Sequence, residues 1–167
     1  SKLNCSNLIN IQGDEILVNP DHVDEIARCM KNDNQNDFFL GHTNFNIPND
    51  KSSFKSVLNV NDELIYCSRE DIPSPSISKN SSFYKTVFII GFKNNSLKKF
   101  VSWDECELEN AEPNEFLRIL YNANSIKSVF MSNAQISLDT DDDLKVLRRK
   151  IRSDNLFKKY EHSRKFF

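Results

Sequence analysis

The run Leu8-Ile9-Asn10-Ile11, followed at once by Gln12-Gly13-Asp14-Glu15, constrains the fold of this chain more than any other stretch. Large aliphatics that stop abruptly in a polar cluster with a glycine have the pattern of a buried strand ending at a rim. Sheets of α/β proteins bind ligands outside the carboxyl ends of their strands. Asp14 would lie at such a rim. A carboxylate there has two uses: it holds a hard cation such as Mg2+, which prefers oxygen ligands, or it caps a nearby helix. The residues alone leave both open.

A chain of 167 residues is the size of one ordinary domain, and 38% hydrophobic content is enough for a core. The net charge of -2, with acidic and basic residues intermixed, gives no electrostatic case for nucleic acid. No apolar run is long enough to span a membrane. Cys5, Cys29, Cys67 and Cys106 are dispersed without paired spacing, which argues against zinc and for the reduced thiols of a cytoplasmic protein. No secretory signal is evident.

Along the chain, Asn19 can cap a helix with Pro20 at its first position, and Val23, Ile26, Ala27 and Met30 recur at helical spacing. Phe38-Phe39-Leu40 reads as a strand, and the polar stretch from Thr43 to Ser53, with Pro48, as a loop. His42 stands alone and is expected to be a strand-end residue rather than a ligand. From Phe54 to Arg69, two apolar runs flank Asn61-Asp62-Glu63, the pattern of a β-hairpin. Residues 73–82 are rich in Ser and Pro, a lid or a connector. Tyr84 to Phe92 is a strand and Ser96 to Phe100 a short helix. Ile126 to Met131 is a further strand. Leu144, Leu147 and Ile151 share one helical face, with Thr140 and Asp143 in the positions of a capping box. Residues 1–152 are expected to form the folded domain and 153–167 a charged tail.

Asn10-Ile11-Gln12-Gly13-Asp14-Glu15 resembles the Asn-Val-Gln-Gly-Asp-Glu motif of the cytidylyltransferases that activate 3-deoxy-manno-octulosonate, and further segments match in the same order. Ser68-Arg69-Glu70-Asp71-Ile72-Pro73 is similar to that family's Ser-Arg-x-x-Ile-Pro. The stretch from Glu107 to Arg118 is similar to a helix of the family that carries several glutamates, and Leu138-Asp139-Thr140-Asp141-Asp142-Asp143-Leu144 resembles its Val-Asp-Thr-Pro-Glu-Asp-Leu. The matches cover roughly the carboxyl-terminal two-thirds of the family. Its Ala-Arg-x-x-Ser-x-Arg loop, which cradles the nucleotide triphosphate, has no counterpart. Ile16 stands where the family has Pro.

The resemblance implies an α/β fold of nucleotide-diphospho-sugar transferase type, Rossmann-like: a mixed, mostly parallel sheet flanked by helices. The first βα unit would be missing, and a β-hairpin extension would make a homodimer. It implies transfer of CMP from CTP to a 2-keto-3-deoxy sugar acid with release of pyrophosphate. Asp14 and Asp139 would hold the catalytic Mg2+, while Gln12, Arg69 and Glu115 would orient the sugar. Glu109 and Glu112 are expected to be solvated. Thr86, Ile90 and Phe116 stand where the family has His, Tyr and Gln against the sugar, which implies a preference for a sugar acid less polar at those positions. Two alternatives remain: an incomplete nucleotidyltransferase-like module that only binds a sugar or a partner, and a plain α/β scaffold.

Overall fold

The structure, a computed structural model, describes residues 5–76, 83–134 and 136–161. The chain divides into two compact units. One runs to Ile11 and continues from Asn19 to Ala134; the other joins Gln12–Val18 to the segment that starts at Gln135.

The first unit is built on a sheet of six strands: β1 (Asn7–Ile11), β2 (Phe38–Phe45), β3 (Lys55–Leu58), β4 (Leu64–Ser68), β5 (Phe83–Lys93) and β6 (Ile126–Phe130). The order is β4-β3-β5-β2-β6, with β1 also paired to β5. Helices flank a mixed sheet, as expected, but the expected parallel majority is absent. Among the described residues only β2 and β6 pair in parallel, and the other four strand pairings are antiparallel. The reason lies in β5. Strands β1 and β2 run the same way, joined by helix α1 (Pro20–Asn32), yet β5 lies between them in the opposite sense.

Helix α1 begins as its residues dictate. The Asn19 side chain accepts a hydrogen bond from the Asp21 amide at 3.0 Å, and Pro20, which has no amide hydrogen to satisfy, occupies the first turn. Its buried stripe is His22, Ile26 and Met30, while Ala27 is exposed. The helix packs so closely on β5 that a Cβ on Gly91 would stand 2.5 Å from Met30 Sδ and 3.0 Å from Ile26 Cγ2, so any larger residue there would force the Met30 side chain to move. On the other face Phe38, Leu40, Ile90, Phe92 and Ile126 form the core with Phe54, Leu64 and Cys67 of the hairpin. Phe100 and Phe116 stack across it at 6.0 Å.

The expected hairpin is present as β3 and β4. Asn59 builds its turn, the side chain accepting from the Asn61 and Glu63 amides at 2.9 Å each, while Asp62 adopts a φ of 54°. The turn also reaches β6, where the Ser128 amide donates to Asp62 O at 2.7 Å.

Other expectations change. Strand β1 forms but is not buried: Asn7 and Asn10 are exposed, Leu8 and Ile9 half-buried, and Ile11 is 38% exposed. Strand β2 extends through Phe45 into the expected loop. The single helix expected from Glu107 to Arg118 is two, α3 (Glu107–Ala111) and α4 (Leu117–Tyr121), with α2 (Ser96–Val101) before them. Pro113 cannot donate a helical hydrogen bond, and the buried Asn114 side chain instead accepts the Phe116 amide at 3.1 Å.

In the second unit, α5 (Asp141–Ile151) starts at the expected capping box. Thr140 Oγ1 accepts the Asp143 amide at 3.2 Å, and Asp143 accepts the Thr140 amide at 2.8 Å. Leu147 is its buried residue, and α6 (Asn155–Glu161) follows within the expected tail. Of the Ser- and Pro-rich stretch, residues 77–82 lie outside the described residues.

Candidate active site

Within the second unit, Gln12-Gly13-Asp14-Glu15 leaves strand geometry for a tight turn, the Glu15 amide donating to Gln12 O at 3.1 Å. Two hydrogen bonds join this turn to residues 137 and 138. The Leu138 amide donates to Asp14 O at 3.0 Å, and Ser137 Oγ donates to the buried Glu15 carboxylate at 2.9 Å. Asp139 is the next residue. The chain thus brings Asp14 alongside the segment that carries Asp139, although the two are far apart in sequence. Glu15 and Ser137 make that junction. Glu15 lay in the quoted motif without a role, and Ser137 gave no signal, because the bond depends on a contact 122 positions away.

The Asp14 side chain is half-buried, and its Oδ1 is shut from solvent with no hydrogen-bond partner. Buried polar atoms in folded proteins are almost always paired; among the described residues one other buried side-chain atom, Asp71 Oδ1, lacks a hydrogen bond, but it has Lys55 Nζ 3.6 Å away. Asp139 is exposed. Hard oxygen donors of this type suit Mg2+, which commonly takes one or two carboxylates and keeps water or substrate oxygens for the rest. Among the described residues no group of three or more His, Cys, Asp and Glu side chains could hold a metal, which such a two-carboxylate site does not require.

In the first unit, Arg69 follows β4. Its Nη1 donates to Lys51 O at 3.0 Å and to Ser52 O at 2.6 Å, and its Cζ lies 4.4 Å from the centre of the Phe54 ring. Its amide donates to Glu112 Oε2 at 3.2 Å. Glu112 also accepts from the Tyr66 hydroxyl at 3.3 Å, so it ties the end of α3 to the hairpin instead of standing in solvent. Glu109 departs from expectation in the same way. It takes Arg118 Nε at 2.7 Å and Nη2 as a second bond, and these hold its carboxyl below the usual range. Glu115 lies in the turn between α3 and α4, exposed, and lines a cavity of about 260 Å³ with Glu105, Glu109 and Asn114.

Thr86, Ile90 and Phe116 face no opening. They are 0%, 1% and 3% exposed, and Thr86 Oγ1 is taken by Ser56 Oγ at 2.6 Å. Ile90 and Phe116 belong to the core, and the Thr86 hydroxyl is spent on Ser56, so in this structure none of the three presents a group to an opening. His42 lies inside β2 and not at the expected strand end, because β2 continues to Phe45. Its Nδ1 meets Ser128 Oγ at 2.8 Å, and burial lowers its pKa. His22, which gave no signal in the sequence, donates from Nε2 to Ser132 O at 2.8 Å. All four cysteines are free, and burial pushes the Cys67 thiol up to about 12.

Residues 2–128 match the sequence profile of the Cytidylyltransferase family, which is most of the chain. The chain belongs to the cytidylyltransferase family. It is 30% identical over 154 residues to the 3-deoxy-manno-octulosonate cytidylyltransferase of Elusimicrobium minutum, covering 88% of this chain and 63% of the relative. It is 30% identical over 159 residues to the enzyme of that name from Bdellovibrio bacteriovorus, covering 91% and 64%. A solved structure of CMP:2-keto-3-deoxy-manno-octonic acid synthetase complexed with CTP superimposes with a TM-score of 0.82 at 24% identity, over 91% of this chain and 64% of that one. This cytidylyltransferase chain therefore spans less than two-thirds of the length of these relatives, and it shares the fold of the solved synthetase. Among its described residues no helix is long and apolar enough to cross a membrane.

Proposed function

We propose that this chain serves nucleotidyl transfer from CTP to a 2-keto-3-deoxy sugar acid of the 3-deoxy-manno-octulosonate type. The oxygen of the anomeric 2-hydroxyl bonds to the α-phosphorus of CTP. The bond from that phosphorus to its bridging oxygen breaks, pyrophosphate leaves, and the hydroxyl proton passes to solvent. Asp14 and Asp139 would hold a magnesium ion, which when bound lowers the pKa of the hydroxyl and neutralises charge on the phosphates. The observation that carries this reading is the buried, unpartnered Asp14 Oδ1 beside the segment bearing Asp139. Arg69 binds the sugar carboxylate, a pairing for which guanidinium has the matching two-donor geometry. Gln12 and Glu115 hold sugar hydroxyls.

The test is CMP transfer, measured as pyrophosphate release with CTP and 3-deoxy-manno-octulosonate, for the chain and for Asp14→Asn and Asp139→Asn. Turnover that depends on both aspartates supports the proposal. Turnover indifferent to them sinks the metal assignment, and sugar binding without turnover by the unaltered chain supports the binding-module alternative. Homodimerisation through the hairpin is the remaining part of the proposal. Its support is narrower than the sequence implied, because Phe54, Leu64 and Cys67 face their own core, leaving Val60 at 96% and Ile65 at 55% exposed.

A further inference from the structure

Lys55 is the one cation among the described residues that is wholly enclosed, at 0% exposure in β3. A buried ammonium is costly unless its hydrogen bonds are met, and this one is met from two separate segments. Its Nζ donates to Asp50 O and to Ser53 O, the latter at 3.0 Å, on the loop before β3. It also donates to Arg69 O and lies 3.6 Å from Asp71 Oδ1, after β4. The same two segments are joined a second time by the Arg69 guanidinium, whose Nη1 spends its two hydrogens on Lys51 O and Ser52 O. The loop that Lys55 anchors at 50 and 53 is therefore the loop that receives Nη1 at 51 and 52.

This arrangement decides which edge of Arg69 is offered. With Nη1 occupied and the Phe54 ring against the plane at 4.4 Å, the guanidinium cannot turn in its own plane. The Nε and Nη2 hydrogens form the side-on edge, which pairs with the two oxygens of one carboxylate, and no described residue accepts from either nitrogen. We propose that Lys55 is a positioning residue: by locking residues 50–53 to the Arg69 main chain, it fixes the guanidinium so that its Nε/Nη2 edge stays open for a substrate carboxylate. This rests on the reading of Arg69 as the carboxylate-binding residue.

Two measurements on the full chain separate the inference from that reading. The first is nitrogen-15 NMR of the Arg69 guanidinium, assigned by its loss in Arg69→Lys. In the unaltered protein the Nη1 hydrogens should be slow to exchange and to rotate. In Lys55→Met they should behave as in an exposed arginine, and Lys55→Arg, which restores a donor, should recover part of the protection. The second is the ratio of affinities for 3-deoxy-manno-octulosonate and its carboxamide, which differ only at the carboxylate. That ratio should fall about tenfold in Lys55→Met, the size of one charge-assisted hydrogen bond, while CTP affinity holds. Unchanged Arg69 spectra in folded Lys55→Met overturn the inference. Altered spectra with no preference for acid over carboxamide in the unaltered protein overturn the Arg69 reading and leave the positioning role standing. If Lys55→Met does not fold, Asp71→Asn, which removes the ion pair and keeps an oxygen able to accept the Asn49 amide, should quicken Nη1 exchange about threefold, and no change there would also overturn it.

Discussion

The charges around the hairpin and those around Asp14 are treated in opposite ways. In the first unit four buried or half-buried charges meet partners, Lys55 three carbonyls and Asp71, Arg69 two carbonyls and a ring, Glu112 a hydroxyl and an amide, Glu109 a guanidinium, and although Asp71 Oδ1 accepts no hydrogen bond it has the Lys55 ammonium 3.6 Å away. In the second unit Glu15 is equally well served by Ser137, yet Asp14, its immediate neighbour, keeps one buried oxygen with nothing to accept. Burial alone does not make a site; burial that the chain itself leaves uncompensated does.

The sharpest way to break this contrast is at Asp14. Replacing a metal-holding carboxylate should cut CMP transfer by about a thousandfold, since charge neutralisation by the ion is worth several kcal/mol. Stability should move the other way. Asp14→Asn replaces a carboxylate whose buried Oδ1 has no hydrogen-bond partner, so without Mg2+ its melting temperature should equal or exceed that of the unaltered protein. Added Mg2+ should raise the melting temperature of the unaltered protein by mass action and leave Asp14→Asn unmoved. A magnesium-dependent rise of equal size in both would show that the orphaned oxygen is no ligand.

At Glu109 the expected loss is in stability instead. Glu109→Gln leaves Arg118, whose side chain is 14% exposed, without its two-bond partner, and should cost about 2 kcal/mol in urea denaturation. Converting the pair to Gln and Met should recover much of that cost. The pH dependence has a definite sign. Hydrogen bonds from Arg118 hold the Glu109 carboxyl below its unfolded value of 4.5. Its stabilisation is therefore full above that value and is lost as pH falls through the folded one. Comparing denaturation at successive pH values for the unaltered protein and Arg118→Met should show this acid limb only in the former.

What the residues disclosed in advance, and what they hid, divides by range. The Asn19-Pro20 start of α1 and the Thr140–Asp143 box act within four positions and are legible in the sequence, whereas for the hairpin the sequence shows the polar Asn61-Asp62-Glu63 but not that Asn59 builds the turn. The junction at Asp14 was named only because a family motif pointed to it; the bond from Leu138 that brings the two segments together cannot be seen in either alone. Glu109 and Glu112 looked like solvated helix charges because their partners, Arg118 and Tyr66, depend on the break at Pro113 and on how β4 lies against α3. The openness of β1 was likewise hidden, since an aliphatic run states that a strand is apolar but not what covers it.

A smaller effect tests whether Thr86 belongs with the answered groups. Its hydroxyl meets Ser56 across β3 and β5 in a site with no exposure. Thr86→Val should cost about 1 kcal/mol, the net worth of one such bond, by leaving Ser56 without its partner. Ser56→Ala with Thr86→Val should cost less than the sum. CMP transfer at saturating sugar should not change, and a marked fall in affinity for the sugar acid would return Thr86 to the site.

The smallest expected effect lies at the hairpin's outer face, where Val60 and Ile65 are exposed while their neighbours Leu64 and Cys67 are enclosed. A surface substitution away from caps and core seldom moves stability by more than about 0.5 kcal/mol, so Ile65→Thr, which keeps a β-branched residue on an edge strand, should be nearly silent in a monomer. In a homodimer joined at this face it should not be silent. Removing an apolar anchor from the middle of an interface typically costs more than about 1 kcal/mol, enough to shift the dimer midpoint several-fold in sedimentation equilibrium. The two outcomes differ in kind rather than in size, because only the second depends on protein concentration. A melting temperature for Ile65→Thr that matches the unaltered chain at every concentration, together with a monomer mass for both, would remove the dimer from the proposal and leave β4 an ordinary edge strand with one tolerated isoleucine.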